Sequence, residues 1–120
     1  MNQMIVLAGT GEFATREGRD DCLATSAQYQ EPTRRDESGC LAYYFAADPV
    51  VETCMVVYEL WADEASLAAH FQHRNYRHMG AHFAKHGFVV GNFKKYRVDR
   101  SEQVYDDNFI PHADFFTYTD

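Results

Sequence analysis

Glu59, Trp61 and His70 are the residues of this chain whose types and spacing could do chemistry together. Histidine titrates nearest neutrality and is the default side chain for taking a proton. A carboxylate on an apolar strand face either handles a proton or forms half of a buried ion pair. A tryptophan beside them offers a flat apolar surface for an aromatic ring. The stretch that carries all three, 52–70, reads ETCMVVYELWADEASLAAH. Its first ten residues are rich in β-branched and aromatic side chains, lack Gly and Pro, and predict a strand. Asp63 predicts a helix N-cap, its carboxylate accepting from a first-turn N–H at the positive helix end. A strand running into a capped helix puts Glu59 and Trp61 near the strand end and His70 about two turns along the helix.

Each candidate has a structural reading beside the chemical one. His70 is a base or substrate-orienting donor, or it bonds a backbone carbonyl and holds the fold. Glu59 orients His70 or accepts a substrate proton, or it pairs with Arg97, Lys95 or Arg35. Trp61, Tyr43, Tyr44, Tyr58 and Phe71 are core residues, of which some line a pocket. His78, His82 and His86 form a slanting stripe on one helix. Two such histidines can ligate a transition metal with a carboxylate or water. The stripe lacks the nearby Glu of a zinc protease, however, and borders the apolar line Tyr76, Met79, Phe83. It therefore reads as a rim of satisfied or solvated histidines, with His78 or His82 facing a pocket beneath the helix, and no metal site is assigned. Gly9-Thr10-Gly11 lacks the third Gly and the Lys of a phosphate loop.

The elements that must position these groups follow from the rest of the chain. A first strand spans 4–13. Residues 17–35 are helical in composition, with a kink or restart at Pro32. Glu37-Ser38-Gly39 is a turn in which Gly39 can take positive φ. A second strand, 40–47, is joined by a short link to the third, 52–61, as an antiparallel hairpin. Centred on Val50, that hairpin sets Tyr43 opposite Val57 and Leu41 opposite Glu59. Helix 63–71 follows, an interruption at 73–75, helix 76–86 with Gly87 as its C-cap, and a fourth strand at 91–98. The order strand, helix, strand, strand, helix, strand is the ferredoxin-like split βαβ arrangement, an α+β fold with a four-stranded antiparallel sheet. Residues 1–98 form this domain. Residues 99–120 are a tail whose aromatics Tyr105, Phe109, Phe115, Phe116 and Tyr118 are too many for a free segment, so the tail packs on the domain or on a partner.

Alternation gives a further inference. Met55, Val57, Glu59 and Trp61 point one way from the third strand, and Cys54, Val56, Tyr58 and Leu60 point the other. Neither set is a solvent face, and two helical segments cover only one. An uncovered apolar sheet face implies a homodimer, unless the tail folds back over it. The net charge of −7 and the absence of a basic block argue against nucleic acid. No apolar stretch has the length of a membrane span, and no leader pattern precedes Arg16. Cys22, Cys40 and Cys54 form no CxxC pair and are odd in number, which suits reduced thiols in the cytoplasm.

Four short motifs now stand in order: Thr33-Arg34; Glu37, Gly39-Cys40-Leu41 and Tyr43; Glu59-Leu60-Trp61; and Ala69-His70. Over residues 4–98 this pattern resembles the antibiotic biosynthesis monooxygenase (ABM) domain. The resemblance implies a dimeric α+β barrel. It also implies a monooxygenase acting with O₂ on a phenol, quinol or anthrone-type aromatic, needing neither metal nor flavin. His70 would help remove the proton and Glu59 assist it. Trp61, Tyr43, Tyr58 and Phe71 would shape the pocket, with Asn75, His78 and His82 nearby. Asn75 stands where family members often carry a second His. The haem-degrading branch uses a first-strand Asn and a helix Trp, which are absent here, so haem is disfavoured. Two rivals remain: a dimer of this fold that only binds a small hydrophobe, and a metal-dependent enzyme built on the His stripe.

Overall fold

The computed structural model describes residues 3–114. The elements run β1 (Met4–Phe13), α1 (Arg16–Ala24), α2 (Ala27–Asp36), β2 (Cys40–Ala47), β3 (Cys54–Trp61), α3 (Glu64–Gln72), α4 (Arg74–Lys85) and β4 (Phe88–Val98). The strands form one antiparallel sheet in the order β2-β3-β1-β4. This is the ferredoxin-like α+β arrangement, with each helical region broken into two helices.

The first break falls at Thr25 and Ser26, not at Pro32. The Thr25 hydroxyl donates to Asp21 O at 2.7 Å and the Ser26 hydroxyl to Leu23 O at 2.8 Å. These hydroxyls take up carbonyls that would otherwise bond the next turn. Pro32 sits inside α2. The second break is at His73, which ends α3 and caps α4, its Nδ1 accepting from Asn75 N at 3.0 Å. Asp63 caps α3 as expected, accepting from Ser66 N at 2.8 Å. Gly87, at φ +84°, ends α4.

The β2–β3 hairpin differs from expectation by two residues. Tyr43 faces Glu59 and Phe45 faces Val57. The link is longer than a tight turn because Asp48 organises it: its carboxylate accepts from Val51 N at 2.7 Å, and its own N–H reaches Cys54 O at 3.0 Å. From Ala42 to Ala47 an even shift leaves each side chain on its expected face, but an irregularity between Cys40 and Ala42 sets Cys40 opposite Trp61 on the inner face and leaves Leu41 exposed. Arg19, buried on α1, holds this link from below. Its Nη1 donates to Asp48 O, Val51 O and Cys54 O at 3.0–3.1 Å. β4 begins at Phe88, three residues earlier than its composition suggests.

Tyr43, Met55, Val57, Glu59 and Trp61 are buried beneath the helices, with Ile5, Leu7 and Phe45 packed against them. The opposite face carries the rows Ala42–Leu60–Val6–Tyr96 and Tyr44–Tyr58–Ala8–Lys94. There Tyr44, Val56, Tyr58 and Tyr96 keep 38–53 % of their surface exposed, so the described part of the tail does not cover them. β2 is an edge strand, and α2 satisfies its outer groups. Gln30 bonds both Phe45 N and Phe45 O at 3.3 Å, and Arg34 Nε donates to Tyr43 O at 2.8 Å. Such cover blunts an edge that could otherwise pair with another chain.

Within the tail, residues 104–112 close on themselves. Asp106 accepts from Asn108 N, Ile110 N and His112 Nε2 at 2.8–3.1 Å, and His112 N reaches Val104 O. Phe109 stands 84 % exposed at the tip. Phe115, Phe116 and Tyr118 lie outside the described residues. No helix among the described residues is long and apolar enough to cross a membrane.

Candidate active site

A cavity of about 540 Å³ lies between the inner sheet face and helices α3 and α4. Its walls are apolar, with Leu7, Val57, Leu67, Met79 and a set of phenylalanines, and its polar members include Glu59, His70 and Lys95. This is the composition of a pocket for a flat, largely apolar molecule that is oriented by few polar groups.

His70 reaches the cavity from the last turn of α3 and is 1 % exposed. Its ring packs against Trp61 at 4.6 Å and Tyr43 at 5.5 Å between centroids. Its Nδ1 lies 2.9 Å from Glu37 Oε1. With the ring neutral, Nδ1–H donates to that carboxylate and Nε2 keeps its lone pair. Glu37 is held in turn by Asn75, whose Nδ2 donates to Oε2 at 3.1 Å, and His73 Nδ1 stands 4.0 Å away. Burial pushes the His70 pKa down, and the Glu37 hydrogen bond and charge oppose that shift without reversing it. The ring is thus neutral near pH 7, fixed in orientation, and able to accept a proton.

The turn at 37–39 makes this contact. Gly39 does not take a positive φ there. It is required by close approach, because a Cβ at that position would run into the Cβ and hydroxyl of Ser66 on α3. Ala62 N donates to Gly39 O at 2.9 Å and fastens the turn to the start of α3.

Glu59 neither orients His70 nor meets Arg97, Lys95 or Arg35. Arg97 pairs with Asp99, and Arg35 with Glu31 and Asp36. Glu59 instead accepts from Trp61 Nε1 at 2.9 Å, while only 5 % exposed. Burial raises its pKa to about 7, the Trp61 hydrogen bond opposes the rise, and the Glu37 charge adds to it. A folded-state pKa above the unfolded value of 4.5 costs stability as pH rises between the two. Glu59→Gln keeps the acceptor for Trp61 and removes the charge. Its stability advantage over the native chain is expected to be absent near pH 4 and to grow to the order of 3 kcal/mol by pH 8. Urea unfolding at the two pH values measures it, and a pH-independent difference would contradict the buried-charge account.

The other candidates are distributed as follows. Tyr43 and Phe71 line the cavity. Trp61 packs behind His70 and hydrogen-bonds Glu59. Asn75 serves Glu37. Tyr58 and Tyr44 are on the opposite sheet face, because strand alternation sends them away from Glu59 and Tyr43. His78 is exposed on α4. His82 does not face the cavity: its Nε2 bonds Cys22 O at 2.9 Å and Thr25 Oγ1 at 3.1 Å. The His86 ring lies 4.6 Å from that of His82, outside the cavity. Among the described residues no group of three or more His, Cys, Asp or Glu side chains is placed to hold a metal. All three cysteines are free. Glu37 was not among the candidates for chemistry. Its signal was its place in the motif before Gly39-Cys40-Leu41, read as a turn.

Residues 4–82 match the family described as antibiotic biosynthesis monooxygenase. The fold is similar to a candidate monooxygenase of that kind from Caulobacter crescentus CB15, with TM-score 0.72 and 19 % identity over 84 % of this chain and 92 % of that one. It is also similar to one from Deinococcus radiodurans, with TM-score 0.73 and 16 % identity over 85 % and 99 %. A conserved protein of unknown function from Bacteroides thetaiotaomicron VPI-5482 superposes at TM-score 0.70 with 18 % identity over 81 % and 99 %. The uncharacterized protein sll1783 of Synechocystis is 32 % identical over 68 residues, 57 % of this chain and 45 % of that protein. The chain thus spans less than half the length of this curated relative.

Proposed function

This chain belongs to the antibiotic biosynthesis monooxygenase family, and on that premise we propose that it oxygenates an electron-rich aromatic hydroxyl compound of the phenol, quinol or anthrone type. The observation that carries this reading is the Glu37–His70 pair at the wall of an apolar cavity. His70 Nε2 takes the proton of the substrate hydroxyl, and the resulting anion supplies the electrons. For an anthrone the ring carbon para to the oxygen bonds O₂ to give a peroxide, which takes up the proton. Loss of water, using the remaining C–H hydrogen, leaves a carbonyl. One oxygen atom enters the product, the other leaves as water, and the substrate provides all four electrons.

Glu59 has a separate task. With its pKa near 7 it is protonated in the lower part of the neutral range and can donate a hydrogen bond to the developing anion. A site in which burial lowers the base and raises the acid matches two proton-handling roles at one pH. The reading is tested by O₂ consumption with a panel of hydroquinones, naphthols and anthrones in chelator-treated buffer. Binding without O₂ uptake across the panel would leave the passive-binder alternative in its place.

The exposed outer face, with Tyr58 at its centre, supports a two-fold dimer formed sheet to sheet. Tyr58→Glu places a charge in the middle of that face. It is expected to turn a dimer into a monomer in sedimentation at micromolar concentration while the circular dichroism stays that of the native fold. A native chain that sediments as a monomer, or a variant that stays dimeric, removes this interface.

A further inference from the structure

We propose that the cavity selects flat aromatic ligands bearing an anionic substituent, and that Lys95 is the residue that selects them. Tyr43, Glu59, Leu7 and Lys95 are successive partners in one row across β2, β3, β1 and β4, and all four line the cavity. Glu59 and Lys95 are two strand spacings apart, about 10 Å along the floor. His70 is packed on Tyr43 and Trp61 at the β2–β3 side. The proton-handling groups therefore occupy one end and the cation the other.

The acidic end disfavours a substituent that is already ionised when it binds. Glu37 and Glu59 both stand there, and the Glu37 charge already disfavours ionisation of Glu59. An anionic substituent gains only at the other end. Lys95 is free to receive it, since among the described residues no carboxylate lies within ion-pair distance of its ammonium. In a chain of net charge −7, an unpaired lysine facing an apolar cavity is the local attraction for an anion. Its neighbour Lys94 also borders the cavity, although it belongs to the opposite row with Ala8.

The walls near Lys95 favour a flat partner. The rings of Phe83 and Phe88 lie 5.7 Å apart at 24°, and those of Phe88 and Phe93 lie 6.4 Å apart at 13°. All three border the cavity. Near-parallel rings form a stacking surface that leads from the cation toward the base. A ligand with a carboxylate at one end and a hydroxyl at the other is held with its hydroxyl toward His70. The proposal rests on the oxygenase reading only for which end reacts, and the selection itself is a matter of binding.

Two probes of the same ring system test it: 6-hydroxy-2-naphthoate and 2-naphthol, titrated by fluorescence under anaerobic conditions. The native protein is expected to bind the acid at least about tenfold more tightly, the order expected of one hydrogen bond to a charged group. Lys95→Met removes that preference, chiefly by weakening binding of the acid. Lys85→Met, which deletes the same charge elsewhere, keeps it. Equal affinity for the two probes, binding of neither, or an undiminished preference in Lys95→Met overturns the proposal. Preference without O₂ uptake leaves this inference standing and removes the oxygenase reading. O₂ uptake without preference does the reverse.

Discussion

His70→Ala is expected to lower O₂ consumption about 10²- to 10³-fold, within the range for loss of a positioned general base. Substrate affinity should change far less, since most of the cavity wall is untouched. Glu37→Gln separates orientation from proton transfer. The amide keeps an acceptor for Nδ1–H but loses the charge that supports the imidazolium. The rate is expected to fall about tenfold, and the acid limb of the pH–rate profile to move to lower pH. The sign follows from the two causes. Burial already holds His70 below its usual 6.5, and Glu37 is what raises it, so removing the charge lowers it further. On the proposed chemistry, the rate of the native protein should rise through the depressed His70 pKa and fall again near 7 as Glu59 ionises. Steady-state rates from pH 5 to 9 measure both limbs. A flat profile, or full activity in His70→Ala, would remove His70 from the chemistry. An unmoved acid limb in Glu37→Gln would reduce Glu37 to a structural partner.

Arg19→Met is expected to be the most damaging change outside the cavity. One guanidinium nitrogen serves three carbonyls of the 48–54 link, and among the described residues no other side chain is bonded to those oxygens. Each hydrogen bond from a charged donor contributes about 1.5–3 kcal/mol, and water can replace part of the loss at this edge of the molecule. The net cost should be about 2–4 kcal/mol. The pair with Asp20 adds little, because that carboxylate is nearly half exposed. Urea unfolding measures the change. The link also sets the β2–β3 register, so the variant should lose amide protection first at 48–54. A change below about 0.5 kcal/mol would mean that Asp48 holds the link alone.

The two site carboxylates show how far the sequence could be read. Glu59 was visible as a polar residue on an apolar strand face, and its burial followed from alternation. Its partner was not visible, because three cations were within sequence reach and the actual donor was Trp61, two residues along the same face. Glu37 was visible as part of a motif and as a turn. That it meets His70 depends on Gly39 letting the turn approach α3, a contact between segments thirty-three positions apart. Tyr58 shows the opposite case. Its position on the far face follows from parity alone, and only the covering helices decide that this face lies outside the cavity.

What the sequence by itself determined was the set of elements and their order: the bounds of β1 and β2, the Asp63 cap, the Gly87 stop and the two apolar sheet faces. Those features arise from local terms, namely side-chain period, capping and backbone preference, which act within a few residues. Tertiary structure alone decided the hairpin register, the work of Arg19 and the Glu37–His70 pair. Each of these is a choice among several partners of similar local merit. Such a choice is made by which groups end up buried together and must satisfy one another, and that is a property of the packed chain.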